Sequence, residues 1–85
     1  MNFAVRWREP ASTQLLVQLL RAVDKQAILA VARAVERRLE RNPAEEGEGR
    51  EELYRLLCVR PFCVLFQIDE PSKTVYIDEL KWVGP

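Results

Sequence analysis

The chain has 85 residues, of which 48% are apolar and 31% charged, and its Lys and Arg balance its Asp and Glu to a formal net charge of zero. This length holds one domain with one modest core, and a balanced charge supplies no global field to steer the chain toward nucleic acid or a membrane surface. There is no histidine and there are 2 cysteines, which excludes a Cys-His metal site, a histidine general base and a Ser-His-Asp triad within one chain.

Two thiols alone do not close a structural zinc site, so neither a metal nor a cofactor is expected. No apolar run approaches the roughly 20 residues that span a bilayer. The first residues lack the basic-then-apolar order of a signal peptide. A cytoplasmic protein without a membrane partner is the expectation.

In chain order, Phe3-Ala4-Val5-Arg6-Trp7-Arg8 alternates apolar and polar residues, the pattern of a half-buried strand with Phe3, Val5 and Trp7 inward. Pro10 ends it and suits the first turn of a helix. Residues 11–41 have a helical composition throughout. As a single rod they would run roughly 45 Å, against a diameter of roughly 30 Å for a domain of this length, so the segment must bend. The best break is Val23-Asp24, where Asp24 can cap a new helix beginning Lys25-Gln26-Ala27. The first helix then presents Leu15, Leu16, Leu19, Leu20 and Val23. The second presents Ile28, Val31, Ala32, Val35 and Leu39 at spacings of three and four. Asn42-Pro43 stops it.

Ala44 to Glu52 reads AEEGEGREE, an acidic surface loop with no apolar anchor. Beyond it, LYRLLCVRPFCVLFQIDEPSKTVYIDELK contains three β-branched and aromatic runs, punctuated by Arg60-Pro61 and by Glu70-Pro71-Ser72-Lys73. Such runs read as successive antiparallel strands. In the middle run Val64, Phe66 and Ile68 share one face, and Cys63, Leu65 and Gln67 the other. Both faces are fairly apolar, which places this strand centrally with helices over at least one side. The predicted architecture is a single two-layer α+β domain over residues 1–85, in the order β-α-α-β-β-β. Two helices pack on one face of a small antiparallel sheet, and the first strand joins its edge or its centre.

That order, with these residues, resembles the RelE/ParE toxin superfamily of bacterial toxin–antitoxin modules over nearly the whole chain. The carriers are the opening FAVRW, the helices ending RRLERNP, the G-x-G-R segment (Gly47, Gly49, Arg50), YRLLCVRPFCVLFQID and the closing TVYIDELKW. Phe62, Val64, Leu65, Phe66, Ile68, Asp69, Thr74, Val75 and Ile77 match the family's pattern for its last strands. The resemblance implies a toxin-like component neutralised by a cognate antitoxin. It also implies a target, either DNA gyrase, as in the ParE-like branch, or messenger RNA on the ribosome, as in the ribonuclease branch. Against that second branch, Cys63 stands where its middle-strand arginine falls, and Arg55 and Leu57 where its pair of lysines falls. The closing Lys81-Trp82-Val83-Gly84-Pro85 contains no tyrosine or histidine. Inhibition by protein binding, or a degenerate toxin, is therefore preferred over RNA cleavage, with a homodimerising module as a further alternative.

Two helices cannot cover both faces of the sheet, so function is sought on the free face. The partner-binding candidates are Leu56, Leu65, Tyr76, Leu80 and Trp82, an apolar and aromatic set of the kind that anchors interfaces. For catalysis the residues offer only Arg55 and Arg60, with Tyr54 or Tyr76 as a phenol needing a cationic neighbour. The arginines, with Arg6, Arg8 and Arg50, can form a patch for phosphates or an acidic antitoxin tail. The competing reading is that they solvate strand edges and pair with Glu51, Glu52, Asp78 and Glu79. For Cys58 and Cys63, buried unreactive thiols are favoured over a regulatory bridge or a nucleophile, since a cytoplasmic protein keeps thiols reduced and no general base stands beside Cys63.

Overall fold

The computed structural model describes residues 2–50 and 53–85. Strand β1 (Ala4–Trp7) leads to helices α1 (Ala11–Arg21) and α2 (Lys25–Arg41). Then follow β2 (Glu48–Gly49), β3 (Tyr54–Val59), β4 (Phe62–Asp69) and β5 (Thr74–Trp82). The predicted α+β order β-α-α-β-β-β is present, with the two-residue β2 added ahead of its last three strands, and β4 is central as predicted. The sheet has 5 strands in the order β1-β5-β4-β3-β2. It is mixed, because β1 joins the β5 edge in parallel while the remaining pairs are antiparallel. The predicted acidic loop forms a short 3₁₀ turn, Pro43–Glu45, and the two-residue edge strand β2. Glu51 and Glu52, the end of that predicted loop, lie outside the described residues.

The helix break falls where expected. The Asp24 carboxylate accepts a hydrogen bond from the Ala27 backbone N–H at 3.2 Å, satisfying one of the donors a helix start leaves open. Helix α2 buries Ala32, Val35 and Leu39, with Ile28 and Val31 packed beside them, as its periodicity requires. Helix α1 is a correction. It buries Ala11 and packs Leu15 on the core, while Leu16, Leu20 and Val23 face solvent. The opposing layer supplies Leu57, Phe62, Val64, Phe66, Val75, Ile77 and Leu80.

Two contacts fix the helices on the sheet. The Trp7 indole N–H donates to Glu36 of α2 at 2.8 Å, and the Leu80 backbone N–H donates to the Gln14 side chain of α1 at 2.7 Å. The second arises from a β-bulge. Leu65 pairs with Glu79 but Phe66 pairs with Ile77, so Asp78 is the extra residue on β5. Beyond the bulge, the alternation of side chains on β5 shifts by one residue.

Candidate functional site

The sheet face away from the helices is built of transverse rows read directly from the register. Tyr54, Gln67, Tyr76 and Arg6 form the first, across β3, β4, β5 and β1. Glu48, Leu56, Leu65 and Glu79 form the second. Cys58, Cys63 and Lys81 form the third. The face is thus polar and aromatic at one end, apolar with acidic flanks in the middle, and sulfur-bearing with a cation at the other.

Arg8 closes the first row. Its guanidinium makes a two-pronged contact with Asp78, Nε to Oδ1 at 2.6 Å and Nη2 to Oδ2 at 2.8 Å. It also reaches Gln67 at 3.1 Å and lies 4.0 Å from the centre of the Tyr76 ring. The bond to Asp78 holds the guanidinium in its charged form, above the ordinary arginine value, with partial burial opposing. Here the competing reading of the arginines is met in part, since Arg8 is paired with an acid of β5 and committed to holding β1 against it. Arg50 likewise pairs with Glu48 at 3.1 Å. The pairings expected with Glu51 and Glu52 lie outside the described residues.

The partner-binding candidates divide. Leu56, Leu65 and Tyr76 share the open face, each half-buried. Leu80 does not, being 4% exposed in the core. Trp82 lies on the helix side with it, its ring edge-on to Phe62 at 5.7 Å and facing Val23 and Ile28 at the α1–α2 elbow. The reason is the bulge. Strict alternation puts Tyr76, Leu80 and Trp82 on one face, whereas the extra residue Asp78 returns Leu80 and Trp82 to the side of Ile77.

The weak catalytic candidates do not come together. Tyr54 and Tyr76 flank Gln67 on the open face. Arg55 points to the helix side, where Nε donates to the Glu46 carbonyl at 2.9 Å and Nη2 to the Gly47 carbonyl at 3.2 Å. It fastens the loop after α2, as does the ion pair of Arg38 with the Glu46 carboxylate at 2.6 Å. Arg60 lies in the β3–β4 turn and donates to a Pro85 oxygen at 2.9 Å. Among the described residues no His, Cys, Asp or Glu side chains cluster as metal ligands, and no helix is long and apolar enough to cross a membrane.

The cysteines also depart from expectation. Cys58 is exposed and Cys63 half-buried on the open face, and the two are joined in a disulfide, so they are not buried thiols. Leu56, Leu65 and Cys63, with the charged Arg50, Glu79 and Lys81, line a groove of about 320 Å³ at this end of the face. Sequence reasoning missed the Cys63–Lys81 juxtaposition and the role of Gln67. Both depend on the register of β4 with β5, which no local pattern reveals.

The fold and its open face define a class, a two-layer α+β domain whose helices cover one side of a mixed sheet. Solved structures of this class include chains similar to this one. One belongs to the toxin–antitoxin complex RelBE2 from Mycobacterium tuberculosis, with a TM-score of 0.76 and 20% identity over 96% of this chain and 92% of that one. Another is from the chromosomal ParDE TA system of P. aeruginosa, with a TM-score of 0.69 and 16% identity over 95% and 96%. A third is from the archaeal RelE-RelB complex of Pyrococcus horikoshii OT3, with a TM-score of 0.60 and 21% identity over 99% and 98%. No protein-family model and no curated protein matches the sequence. At these identities the likeness is one of fold.

Proposed function

We propose that this chain is the toxin-like member of a toxin–antitoxin pair, acting in the cytoplasm by binding a cellular target and neutralised by a cognate antitoxin laid over the open sheet face. The observation that carries this reading is the likeness, over almost the full length of both chains, to chains from three toxin–antitoxin complexes. The open face agrees with a protein partner. Leu56 and Leu65 lie side by side between Glu48 and Glu79, an apolar strip with a charged rim.

RNA cleavage is the weaker mechanism on physical grounds. It requires a base to take a proton and cations to hold the phosphate. The chain has no histidine, Arg8 is engaged by Asp78, Arg55 faces away and Arg60 is tied at the turn. Inhibition of a protein such as DNA gyrase requires no such set.

The test is induced expression in a bacterial host, with and without the adjacent gene, following growth and total messenger RNA together. Arrest with intact RNA, relieved by the neighbouring gene, is the expected result. Arrest with ribosome-dependent cleavage would overturn the mechanism. The absence of arrest would leave a non-toxic module, for which self-association is the next measurement.

A further inference from the structure

We propose that Cys58 and Cys63 form a reversible thiol–disulfide site, reduced by a cellular thiol, whose state sets how tightly the open face holds its protein partner. The coupling to a partner rests on the docking reading above. The exchange site itself rests on geometry alone.

Three features carry it. The pair is in direct register across β3 and β4, so the two thiols stay opposite each other when the bond opens. The bond is also not what holds the hairpin, because Val59 pairs with Phe62 beyond it and Leu57 with Val64 before it, with Leu57, Phe62 and Val64 all buried. Finally, the two sulfurs stand in unequal surroundings. Cys58 is open to solvent, whereas Cys63 lines the groove with Leu56 and Leu65 and has Lys81 directly across from it. An incoming thiolate therefore meets the Cys58 sulfur, and the leaving electron pair falls on the sulfur of Cys63, the residue paired with Lys81.

The exchange balances. The thiolate of the reductant forms a bond to Cys58 Sγ, the Cys58–Cys63 bond breaks, and Cys63 leaves as a thiolate that takes a proton from water. A second thiol of the reductant then attacks its partner sulfur and releases Cys58. The protein gains two electrons and two protons, and two reductant thiols become a disulfide. In a compartment rich in thiols such a bond is transient and regulatory rather than structural. Because Cys63 forms part of the groove that the partner would cover, the bond holds the rim of that groove in one arrangement, and reduction releases it.

Purified chain is equilibrated in graded mixtures of reduced and oxidised glutathione, quenched with an alkylating agent and weighed. The expected result is one reversible transition, reached from both directions, in which both cysteines are alkylated together. A bond that survives fully reduced glutathione, or never forms in the oxidised form, overturns the exchange site. Lys81→Gln is expected to slow reduction several-fold without changing thermal stability, and an unchanged rate overturns the role given to Lys81. Affinity for the adjacent gene's product is then measured with oxidised chain, reduced chain and Cys58→Ser/Cys63→Ser. Oxidised chain is expected to bind at least about fivefold tighter than the other two, the lower end of ordinary coupling between sites. Equal affinities overturn the coupling. Binding by none of the three overturns the docking reading and the coupling with it, while the glutathione titration still decides the exchange site.

Discussion

Replacing Gly47 with alanine probes how the loop after α2 is held against the sheet. Gly47 has a φ of +65°, and a Cβ there would stand 2.1 Å from the Leu56 carbonyl oxygen, 2.7 Å from its carbon and 3.1 Å from the Leu57 Cα. All three are backbone atoms of β3, so no rotamer change relieves the overlap. A left-handed alanine alone costs roughly 1–2 kcal/mol. Moving the loop off β3 also gives up the Arg55 bonds to the Glu46 and Gly47 carbonyls, each worth about 1 kcal/mol for a half-exposed charged donor. Gly47→Ala should therefore lose at least about 3 kcal/mol, from a total of about 4–13 kcal/mol for a domain of this length. Gly49→Ala is the control. Among the described residues its Cβ would meet only Arg55 Nη1, at 3.9 Å, an ordinary contact, so it should stay within about 1 kcal/mol of the parent. Urea unfolding followed by tryptophan fluorescence measures both, and a loss of about 3 kcal/mol moves the midpoint by roughly 2 M or more. If the two variants shift by the same small amount, the backbone overlap at Gly47 is not what excludes a side chain there.

The remaining expectations concern the face, the clamp and the first helix. Leu80→Ala should cost about 2–5 kcal/mol as a core truncation, whereas Leu65→Ala on the open face should cost about 1 kcal/mol or less; similar losses in urea would refute the facing set by the bulge. Asp78→Asn should lose about 1 kcal/mol, and a double-mutant cycle with Arg8→Ala should give a coupling of about 0.5–1 kcal/mol, since Arg8 is partly in solvent; zero coupling would show the contact to be incidental. Glu9 accepts bonds from the hydroxyls of Ser12 and, at 2.6 Å, Thr13, and these hold its carboxyl below the ordinary 4.5, Ser12 contributing most. A depressed folded value means the stabilisation is complete above 4.5 and is lost as pH falls through the lower folded value. Ser12→Ala/Thr13→Ala should move the NMR titration of Glu9 back up toward 4.5, and an unmoved midpoint would assign the shift elsewhere.

Much of the fold was legible because local chemistry and global packing agree. The spacing of Val31, Val35 and Leu39, the cap at Asp24 and the turn at Glu70-Pro71-Ser72-Lys73 each specify one structure by a short-range rule. What escaped depends on the other side of a pairing. Leu16, Leu20 and Val23 are as apolar as the residues of α2 that are buried, yet the sheet presents α1 with room only for Ala11 and Leu15. Strand β2 has two residues, Glu48 and Gly49, with no strand propensity, and exists because β3 offers it an edge. Arg55 looked like a free cation because the carbonyls it binds come from the irregular loop before β2.

The bulge at Asp78 shows why the site was less legible than the fold. A strand's inward residues can be recognised from hydrophobicity, and Val75, Ile77 and Leu80 are all inward and all apolar. Their spacing, two and then three, is itself the signature of an inserted residue, yet it reads equally well as Leu80 changing sides. The protein uses the insertion in two ways. It frees the Leu80 N–H to bind Gln14 of α1, and it places Asp78 beside Glu79 on the open face, within reach of Arg8. One extra residue thus ties α1 to the sheet, ties β1 to β5 through Arg8, and sets Glu79 on the open face opposite Leu65. An RNA backbone would be repelled there, whereas a basic or amphipathic protein segment would find both an apolar strip and a charged rim. The insertion therefore links the corrected fold to the protein partner proposed for the open face. Deleting Asp78 would restore strict alternation with Leu80 and Trp82 still on the side of Ile77, and would remove the clamp on Arg8.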